Sequence, residues 1–258
     1  HILGQREDGY HLLQTYFQIL AMGDQLALTS LDQPQILVNG QFGDVALKDN
    51  IIYKAAQLIR ESSGVTRGVK IDVSKRLPMG GGLGGGSSNA ATTLLGLNVL
   101  WKLGLSDSEL LQMALQLGAD VPLFVKGVSA LGEGIGEQLT PLQADTCWYL
   151  LLIPACRVST PEIFNNEHLT RDTSAITIAR FQAPVSVERL MGAEYRNDCE
   201  TVARGLYPEI DEALSWLSQR GAARMTGTGS CVFAAYSTEQ EALGVKDDLP
   251  QGWQAIVT

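Results

Sequence analysis

A cluster of glycines constrains this chain more than any other feature. Six of the 27 glycines fall between Gly80 and Gly86, in a segment that follows a predicted strand and leads into a predicted buried helix. Glycine lacks a Cβ atom and adopts positive φ angles readily, so it suits a backbone that turns sharply or approaches a ligand closely. The helix start adds unpaired N–H groups and about half a positive charge. Together these features predict an anion-binding loop.

Hydrophobic periodicity on both sides of the loop predicts a mixed α+β chain. The predicted strands include Gly68–Ser74, Leu123–Val125, Val128–Leu131, Trp148–Ile153, Ala222–Met225 and Cys231–Tyr236, and the predicted helices include Asn50–Glu61, Ser87–Leu103, Asp107–Leu117, Asn197–Leu206, Pro208–Gln219 and Glu239–Asp247. Ser106 and Glu109 have the spacing of a capping box at a helix start. At 258 residues the chain reaches the size at which single cores divide. We expect two domains, residues 1–145 and 146–258.

Three kinds of loop fit a glycine-rich connection from strand to helix, and two of them disagree with the surrounding residues. A P-loop ends in Gly-Lys-Ser or Gly-Lys-Thr, whereas this loop contains no lysine. A dinucleotide fingerprint is matched by Gly80, Gly82 and Gly85, but it needs an acidic residue about 20 positions later, after a second strand. The nearest candidate, Asp107, lies at a predicted helix start. The alternatives that stay open are a different phosphate loop and a turn that binds no ligand.

Composition and charge exclude several classes of protein. The net charge of −9 and the sequence pI of about 4.8 disfavour a general nucleic-acid binder, which would carry a basic face. A nucleotide remains compatible, because a phosphate site is built locally from N–H groups and a few cations. No apolar run approaches the roughly 18 residues of a membrane span. The four cysteines lack metal-ligand spacing, so we expect reduced thiols in a cytoplasmic protein.

Four segments resemble motifs of one kinase superfamily. The loop Leu77–Ala91 is similar to the phosphate loop shared by galactokinases, homoserine kinases, mevalonate kinases and phosphomevalonate kinases, the GHMP superfamily. Three further segments, Gly4–His11, Leu117–Pro122 and Thr226–Phe233, are similar in order and spacing to its substrate, catalytic-aspartate and third motifs. The resemblance covers nearly the whole chain. The Gly-Tyr-His and Gly-Ala-Asp-Val-Pro sequences inside two of these segments resemble the subgroup whose substrate carries a cytidine diphosphate group.

The resemblance implies a fold, a reaction and its partners. The implied fold is α+β in two halves, ribosomal-protein-S5-like first and ferredoxin-like second, with the active site in the cleft between them. The implied reaction uses ATP, as Mg-ATP, to phosphorylate a hydroxyl of a small molecule of the non-mevalonate isoprenoid precursor pathway that carries cytidine diphosphate. Nucleic acid and membrane are not expected as partners. Two alternatives stay open: another small-alcohol kinase, of the homoserine or mevalonate type, and a nucleotide-binding protein without catalysis.

The resemblance also implies which residues bind the nucleotide. ATP would be held by Pro78, Met79, Gly80, Gly81, Gly82, Leu83, Gly84, Gly85, Gly86, Ser87 and Ser88. The third motif, packed close to this loop, would comprise Thr226, Gly227, Thr228 and Gly229. The hydroxyls of Ser87 and Ser88 could cap the helix, donate to phosphate or bind Mg²⁺, and the metal ligands stay unassigned. Lys75 and Arg76, just ahead of the loop, fit either a position near ATP or a solvated strand end.

Asp120 is the expected catalytic residue. It follows Gly118, where a predicted helix ends, and precedes Pro122, so it lies on a constrained turn. By itself, that position favours a turn residue that bonds its own backbone. The resemblance makes Asp120 the general base that accepts the proton of the substrate hydroxyl. The superfamily also uses a lysine in a strand that would precede His1; no lysine of this chain precedes Lys48, which lies in another segment.

Aromatic residues are the expected readers of the cytosine base. The resemblance implies that Tyr10 stacks on the ring and that His11 hydrogen-bonds its edge. It also implies that Phe164 forms the opposing aromatic wall and that Thr160 makes a nearby polar contact. Taken alone, Tyr10 and His11 would be an ordinary strand start, and Phe164 would be a core residue.

Overall fold

Both helices and strands occur throughout the described part of the chain. The computed structural model describes residues 1–143, 146–177, 191–192 and 195–258. The strands are β1 (Ile2–Gln5), β2 (His11–Leu13), β3 (Thr15–Phe17), β4 (Gln25–Leu31), β5 (Ile36–Asn39), β6 (Gly68–Ser74), β7 (Ala130–Glu133), β8 (Gln138–Pro141), β9 (Trp148–Ile153), β10 (Ala223–Met225), β11 (Val232–Tyr236) and β12 (Gln254–Val257). The helices are α1 (Ile51–Ser63), α2 (Gly85–Leu100), α3 (Asp107–Leu117), α4 (Val121–Lys126), α5 (Thr160–Asn165), α6 (Asp198–Leu206), α7 (Pro208–Ser218) and α8 (Glu239–Asp247). The predicted α+β class is confirmed.

Internal contacts divide the chain into two compact units. We call Met22–Met79 with Gly84–Val128 the core-helix unit, and His1–Ala21, Gly80–Leu83 and Ser129–Thr258 the terminal unit. The chain start belongs to the terminal unit because β3 pairs antiparallel with β7, placing Tyr16 opposite Leu131. The domain boundary predicted between residues 145 and 146 touches residues 144–145, which lie outside the described part of the chain. That boundary stays a prediction.

A three-stranded sheet organises the core-helix unit. Its central strand β6 runs antiparallel to β4 and parallel to β5. Helices α1, α2 and α3 share a single core with this sheet, built on fully buried side chains such as Ile59, Ile71 and Leu94. The side chain of Asn50 caps α1 by accepting the N–H of Ile52 at 2.9 Å, and Gly64 ends that helix with a φ of 67°. This core holds the strand before the glycine loop and the helix after it.

One predicted strand of the core-helix unit is wrong. Leu123–Val125 forms part of the short helix α4 rather than a strand. Three apolar residues fit either structure, so their hydrophobicity alone does not discriminate between them. Pro122 in the first turn favours a helix start, and Gly127 ends the helix with a φ of 63°. The neighbouring prediction, Val128–Leu131, contains the start of β7.

A four-stranded antiparallel sheet organises the terminal unit, in the order β10-β11-β9-β12. Strand β9 is the predicted Trp148–Ile153 strand, and Leu150 and Leu152 are fully buried in it. Helices α6 and α7 pack against the same core through Ala203 and Leu214. The sheet β3-β7-β8 and the hairpin β1-β2 complete this unit. None of the helices in the described residues combines the length and apolar character needed to cross a membrane.

Candidate active site

The glycine loop has two separate structural reasons for its composition. Gly80, Gly82 and Gly84 have φ angles of 75°, 73° and 64°, which side chains disfavour. Close approach is the second reason: a Cβ on Gly82 would lie 2.6 Å from the carbonyl oxygen of Thr226, and one on Gly84 would lie 2.7 Å from Cζ of Phe124. Positions 82 and 84 therefore both require glycine.

Helix α2 begins at Gly85, two residues before its predicted start at Ser87. Its N-cap is Gly84, which has no side chain to accept the N–H groups of the first turn. Those N–H groups and the positive end of the helix dipole are consequently available to an anion. The hydroxyl-bearing residues Ser87 and Ser88 lie in the same first turn. The ATP-binding roles of residues 78–88 stay predictions that this geometry favours.

The third motif lies against the first part of the glycine loop within the terminal unit. The hydroxyl of Thr226 donates to the carbonyl of Gly82 at 3.0 Å, and the N–H of Cys231 donates to the carbonyl of Gly81 at 3.1 Å. Asn197, which the sequence did not single out, donates its amide to the carbonyls of Met225 and Gly227, at 2.9 and 2.7 Å. These bonds fix the third loop and hold residues 81–82 against it.

Replacing Gly82 by alanine is expected to destabilise this junction. The added methyl group would meet the backbone carbonyl oxygens of Thr226 and Gly229 at 2.6 and 2.8 Å, and neither atom can rotate away. We expect the free energy of unfolding in urea to fall by roughly 2–5 kcal/mol, from the left-handed backbone and the clash together. Gly80→Ala is the matched control, because its φ of 75° is similar but nothing lies within 4 Å of its added methyl. Equal losses in both variants would contradict the close-approach argument.

Asp120 lies on the turn that precedes α4. Its side chain makes no capping hydrogen bond there, so the alternative role of a turn residue bonding its own backbone finds no support. Within the described residues, no hydrogen-bond partner occupies its carboxylate. The carboxyl group is reached by solvent, yet burial by the surrounding protein raises its pKa above the ordinary value of an aspartate. An accessible carboxylate with a raised pKa suits a general base.

His11 and Phe164 form the centre of the predicted cytosine site. His11 is 7% exposed, and its ring stacks on that of Phe164 with centroids 4.9 Å apart. Tyr10, by contrast, is 59% exposed, and no ring contact joins it to Phe164 in the part of the chain that is described. The hydroxyls of Thr160 and Thr228 lie 3.0 Å apart, which links helix α5 to the third motif. The predicted base-binding residues of the terminal unit therefore lie around α5 and the start of β2.

Arg171 orients the ring of His11, although it was not among the residues predicted from the sequence. Its Nε donates to Nε2 of His11 at 3.1 Å. Nε2 is thereby assigned as the acceptor, which leaves the proton of the neutral imidazole on Nδ1. The other guanidinium nitrogens donate to the carbonyls of Leu169, Phe164 and Asn166 at 2.8–3.0 Å. Burial, and then the charge of Arg171, lowers the pKa of His11.

An Arg171→Leu variant is expected to raise the pKa of His11 part of the way towards its ordinary value of about 6.5. The rise is partial because burial, the larger cause of the lowered pKa, remains. NMR titration of the His11 ring measures the change. Arg204→Leu, which breaks an exposed ion pair with Asp211, is the control and should leave the His11 titration unmoved. An unaltered His11 pKa in Arg171→Leu would show that the guanidinium does not act on the ring.

Family models cover most of the chain. Residues 50–128 match the GHMP kinases N terminal domain, and residues 178–255 match the GHMP kinases C terminal domain. A crystal structure of 4-(cytidine 5'-diphospho)-2C-methyl-D-erythritol kinase superposes with a TM-score of 0.83 at 31% identity, covering 99% of this chain and 92% of that one. A mevalonate kinase from Methanococcus jannaschii superposes with a TM-score of 0.65 at 14% identity, over 96% of this chain and 89% of its own, which shows the fold alone.

Curated relatives are similar along the whole chain. Proteins from Marinobacter nauticus and Alkalilimnicola ehrlichii are 49% and 48% identical, and the alignments cover all of this chain and 88% and 85% of those proteins. A protein from Vibrio cholerae is 46% identical, with 84% of its length covered. All three are named 4-diphosphocytidyl-2-C-methyl-D-erythritol kinase. The two-part GHMP kinase fold is thus confirmed, and the chain belongs to the 4-diphosphocytidyl-2-C-methyl-D-erythritol kinase family of GHMP kinases.

Proposed function

We propose that this chain transfers the γ-phosphoryl group of ATP to the 2-hydroxyl of 4-diphosphocytidyl-2-C-methyl-D-erythritol. The products are ADP and the 2-phosphate of the acceptor. The observation that carries the proposal is the 46–49% identity, over the whole chain, to kinases named for this acceptor. The homoserine and mevalonate kinases are 14–17% identical and share the fold alone, so they do not favour the smaller alcohols as substrates.

Asp120 acts as the general base in this proposal. Its carboxylate accepts the proton of the 2-hydroxyl while that oxygen attacks the γ-phosphorus of ATP, and the bond to the β-phosphate oxygen breaks to release ADP. Phosphoryl transfer depends mainly on positioning and on charge stabilisation, so the base needs only to be ionised and near the hydroxyl. A raised pKa brings the carboxylate closer to the operating pH, which strengthens it as a base.

The glycine loop supplies the nucleotide site. The uncapped N–H groups at the start of α2 donate to phosphate oxygens, and the helix dipole adds a favourable field. ATP would bind as Mg-ATP, in which Mg²⁺ would offset the negative charge of the phosphates. The hydroxyls of Ser87 and Ser88 are the first candidates for a protein ligand. Among the described residues, no three or more acidic, histidine or cysteine side chains lie close enough together to hold a metal ion.

The cytosine-binding residues of the terminal unit, around α5 and the start of β2, recognise the base of the acceptor. With Nε2 of His11 occupied by Arg171, the Nδ1–H is the group left to donate to the N3 and O2 acceptors on the cytosine edge. Tyr10, being exposed, has a free ring face on which the base can stack. A small aliphatic alcohol offers no ring and no such edge. These residues therefore favour a cytidine-bearing acceptor over homoserine or mevalonate.

We also propose a cytoplasmic location, with no nucleic acid or membrane among the partners. None of the four cysteines, Cys147, Cys156, Cys199 and Cys231, all of which the structure describes, forms a disulfide. Reduced thiols are usual where the compartment is reducing. The net charge of −9 would repel a polyanion such as DNA or RNA.

Phosphorus-31 NMR of the reaction tests the proposed activity. Full-length protein as its gene encodes it is mixed with Mg-ATP and the cytidyl acceptor, and the spectrum is followed with time. We expect a new phosphomonoester signal that grows in step with ADP, with the diphosphate of the acceptor intact. Release of inorganic phosphate without a phosphomonoester would mean that the acceptor is not the substrate.

A further inference from the structure

A buried carboxylate lies beside the glycine loop and takes part in none of the roles assigned above. Asp24 immediately precedes β4, and its side chain is 0% exposed. One carboxylate oxygen accepts the backbone N–H groups of Arg76 and Leu77, at 2.7 and 2.9 Å. The other accepts the side-chain amide of Asn89 at 2.8 Å and forms an ion pair with the ammonium group of Lys75. Four donors thus converge on one buried acidic group.

The donors come from both ends of the loop. Arg76 and Leu77 lead into it from β6, whereas Asn89, which is 4% exposed, lies in the second turn of α2 beyond it. Both ends are therefore bound to the same carboxylate. The Lys75 ammonium lies 3.8 Å from the place that a Cβ of Gly85 would occupy, so it sits beside the first residue of α2. Of the two earlier interpretations of Lys75, the solvated strand end is disfavoured.

Asp24 is ionised in this arrangement. Burial on its own would raise the pKa of the carboxyl, but the hydrogen bonds from Leu77, Lys75, Arg76 and Asn89 outweigh it and hold the pKa below its ordinary value. The Asp24 carboxylate therefore stays negatively charged at neutral pH. An asparagine at position 24 would keep one acceptor oxygen. Its NH₂ group, however, would take the place of the second carboxylate oxygen and would face hydrogen-bond donors instead of accepting from them.

We propose that Asp24 is a positioning residue for ATP, which holds the two ends of the glycine loop at the separation that nucleotide binding requires. This inference rests on the proposed function only in taking ATP as the ligand of the loop. Asp24 has no direct contact with the nucleotide in this account. Its effect passes through the backbone at Leu77 and through Asn89, which set where the loop leaves β6 and where α2 presents its first N–H groups.

The test compares Asp24→Asn with Asp72→Asn. Asp72 is the matched control, since it also pairs with a lysine, Lys70 of the same strand at 2.9 Å, but its side chain is 44% exposed. Among the described residues, its carboxylate accepts from Lys70 and Asn39 and from no residue of the glycine loop or α2. For Asp24→Asn we expect the KM for ATP to rise about tenfold, the equivalent of ~1.4 kcal/mol. The KM for the cytidyl acceptor should stay within about twofold, and Asp72→Asn should leave both KM values unchanged.

Direct nucleotide binding separates this inference from the proposed function. The dissociation constant of a non-hydrolysable ATP analogue is measured by calorimetry, well below the melting temperature of each variant, without any acceptor. We expect the same tenfold weakening in Asp24→Asn, whichever alcohol the enzyme phosphorylates. Unchanged analogue binding in folded Asp24→Asn would overturn the inference, and so would equal rises in both KM values.

A second variant, Asn89→Ala, is used where Asp24→Asn fails to fold. It removes one of the four donors to Asp24 and should weaken binding of the ATP analogue about threefold, ~0.7 kcal/mol. Unchanged binding in Asn89→Ala would also overturn the inference.

Discussion

Replacing Asp120 by asparagine is expected to lower kcat by about 10²–10⁴, the range for loss of a general base. The amide keeps the size of the carboxylate but cannot accept the proton of the attacking hydroxyl. Steady-state turnover measured by ADP release, with both substrates saturating, gives the effect on kcat. The KM values for ATP and acceptor should change little, because the base acts in the transition state rather than in binding.

The fold should survive this change. The Asp120 carboxylate makes no capping hydrogen bond, and its pKa is raised, so its charge is disfavoured in the folded state at neutral pH. The substituted amide carries no charge, so the melting temperature of Asp120→Asn should match or slightly exceed that of the parent protein. Because the pKa of Asp120 is raised in the folded state, protonation of its carboxyl stabilises the parent protein as the pH falls through that pKa. Asp120→Asn lacks this group and should not gain stability over the same pH range.

Asp107→Asn changes an exposed acidic residue of the same unit and should keep full turnover. Near-normal kcat in Asp120→Asn would remove this residue from the mechanism.

Replacing Tyr10 by alanine is expected to raise the KM for the cytidyl acceptor roughly 5- to 150-fold, because stacking of an aromatic side chain on a base contributes about 1–3 kcal/mol. Tyr10 is 59% exposed, so its truncation removes little packing and should leave the melting temperature nearly unchanged. Initial rates measured over a range of acceptor concentrations, at saturating ATP, give the KM.

Two controls define the role of the Tyr10 ring. Tyr10→Phe keeps the aromatic face and should retain most of the acceptor affinity. Leu12→Ala shortens another exposed apolar side chain of the same hairpin, 39% exposed, and should leave the KM unaltered. If Tyr10→Ala bound the acceptor as well as the parent protein does, the stacking role would be wrong and Phe164 with His11 would have to hold the base alone.

The sequence predicted those elements whose ends carry local signals. The capping box of Ser106 and Glu109 marks the start of α3, and the predicted bounds of that helix agree with the structure. Gly64 likewise ends α1 in a left-handed conformation. Where such signals were weak, prediction failed: the three apolar residues Leu123–Val125 have no periodicity of their own, and the helix they form depends on Pro122 and Gly127.

The glycine loop was predictable because its chemistry is local, while its supports were not. Asp24 meets the N–H of Arg76 across 52 positions of sequence and the amide of Asn89 across 65. Arg171 meets His11 across 160 positions. No spacing rule links such residues, because the pairing of distant strands and loops brings them together. A lone aspartate before a strand and a lone arginine after a helix look like ordinary surface residues until the fold is known.

The partners of the first strands were also beyond sequence reasoning. Short strands near the chain start give no indication of their partners, and β3 pairs with β7, which lies more than a hundred residues further on. That pairing places Tyr10 and His11 in the same unit as Thr160 and Phe164. The resemblance implies a shared role for these four residues, which stays a prediction, and the stacking of His11 on Phe164 agrees with it for two of them.

The most direct test of the central claim is ADP release with different acceptors. Full-length protein is assayed with Mg-ATP and, in turn, 4-diphosphocytidyl-2-C-methyl-D-erythritol, homoserine, mevalonate and 2-C-methyl-D-erythritol without its cytidyl group. A cytidine-reading kinase should release ADP rapidly with the first acceptor and at background rates with the others, and Asp120→Asn should abolish nearly all of the difference. Equal turnover of the cytidine-free alcohols would contradict the account.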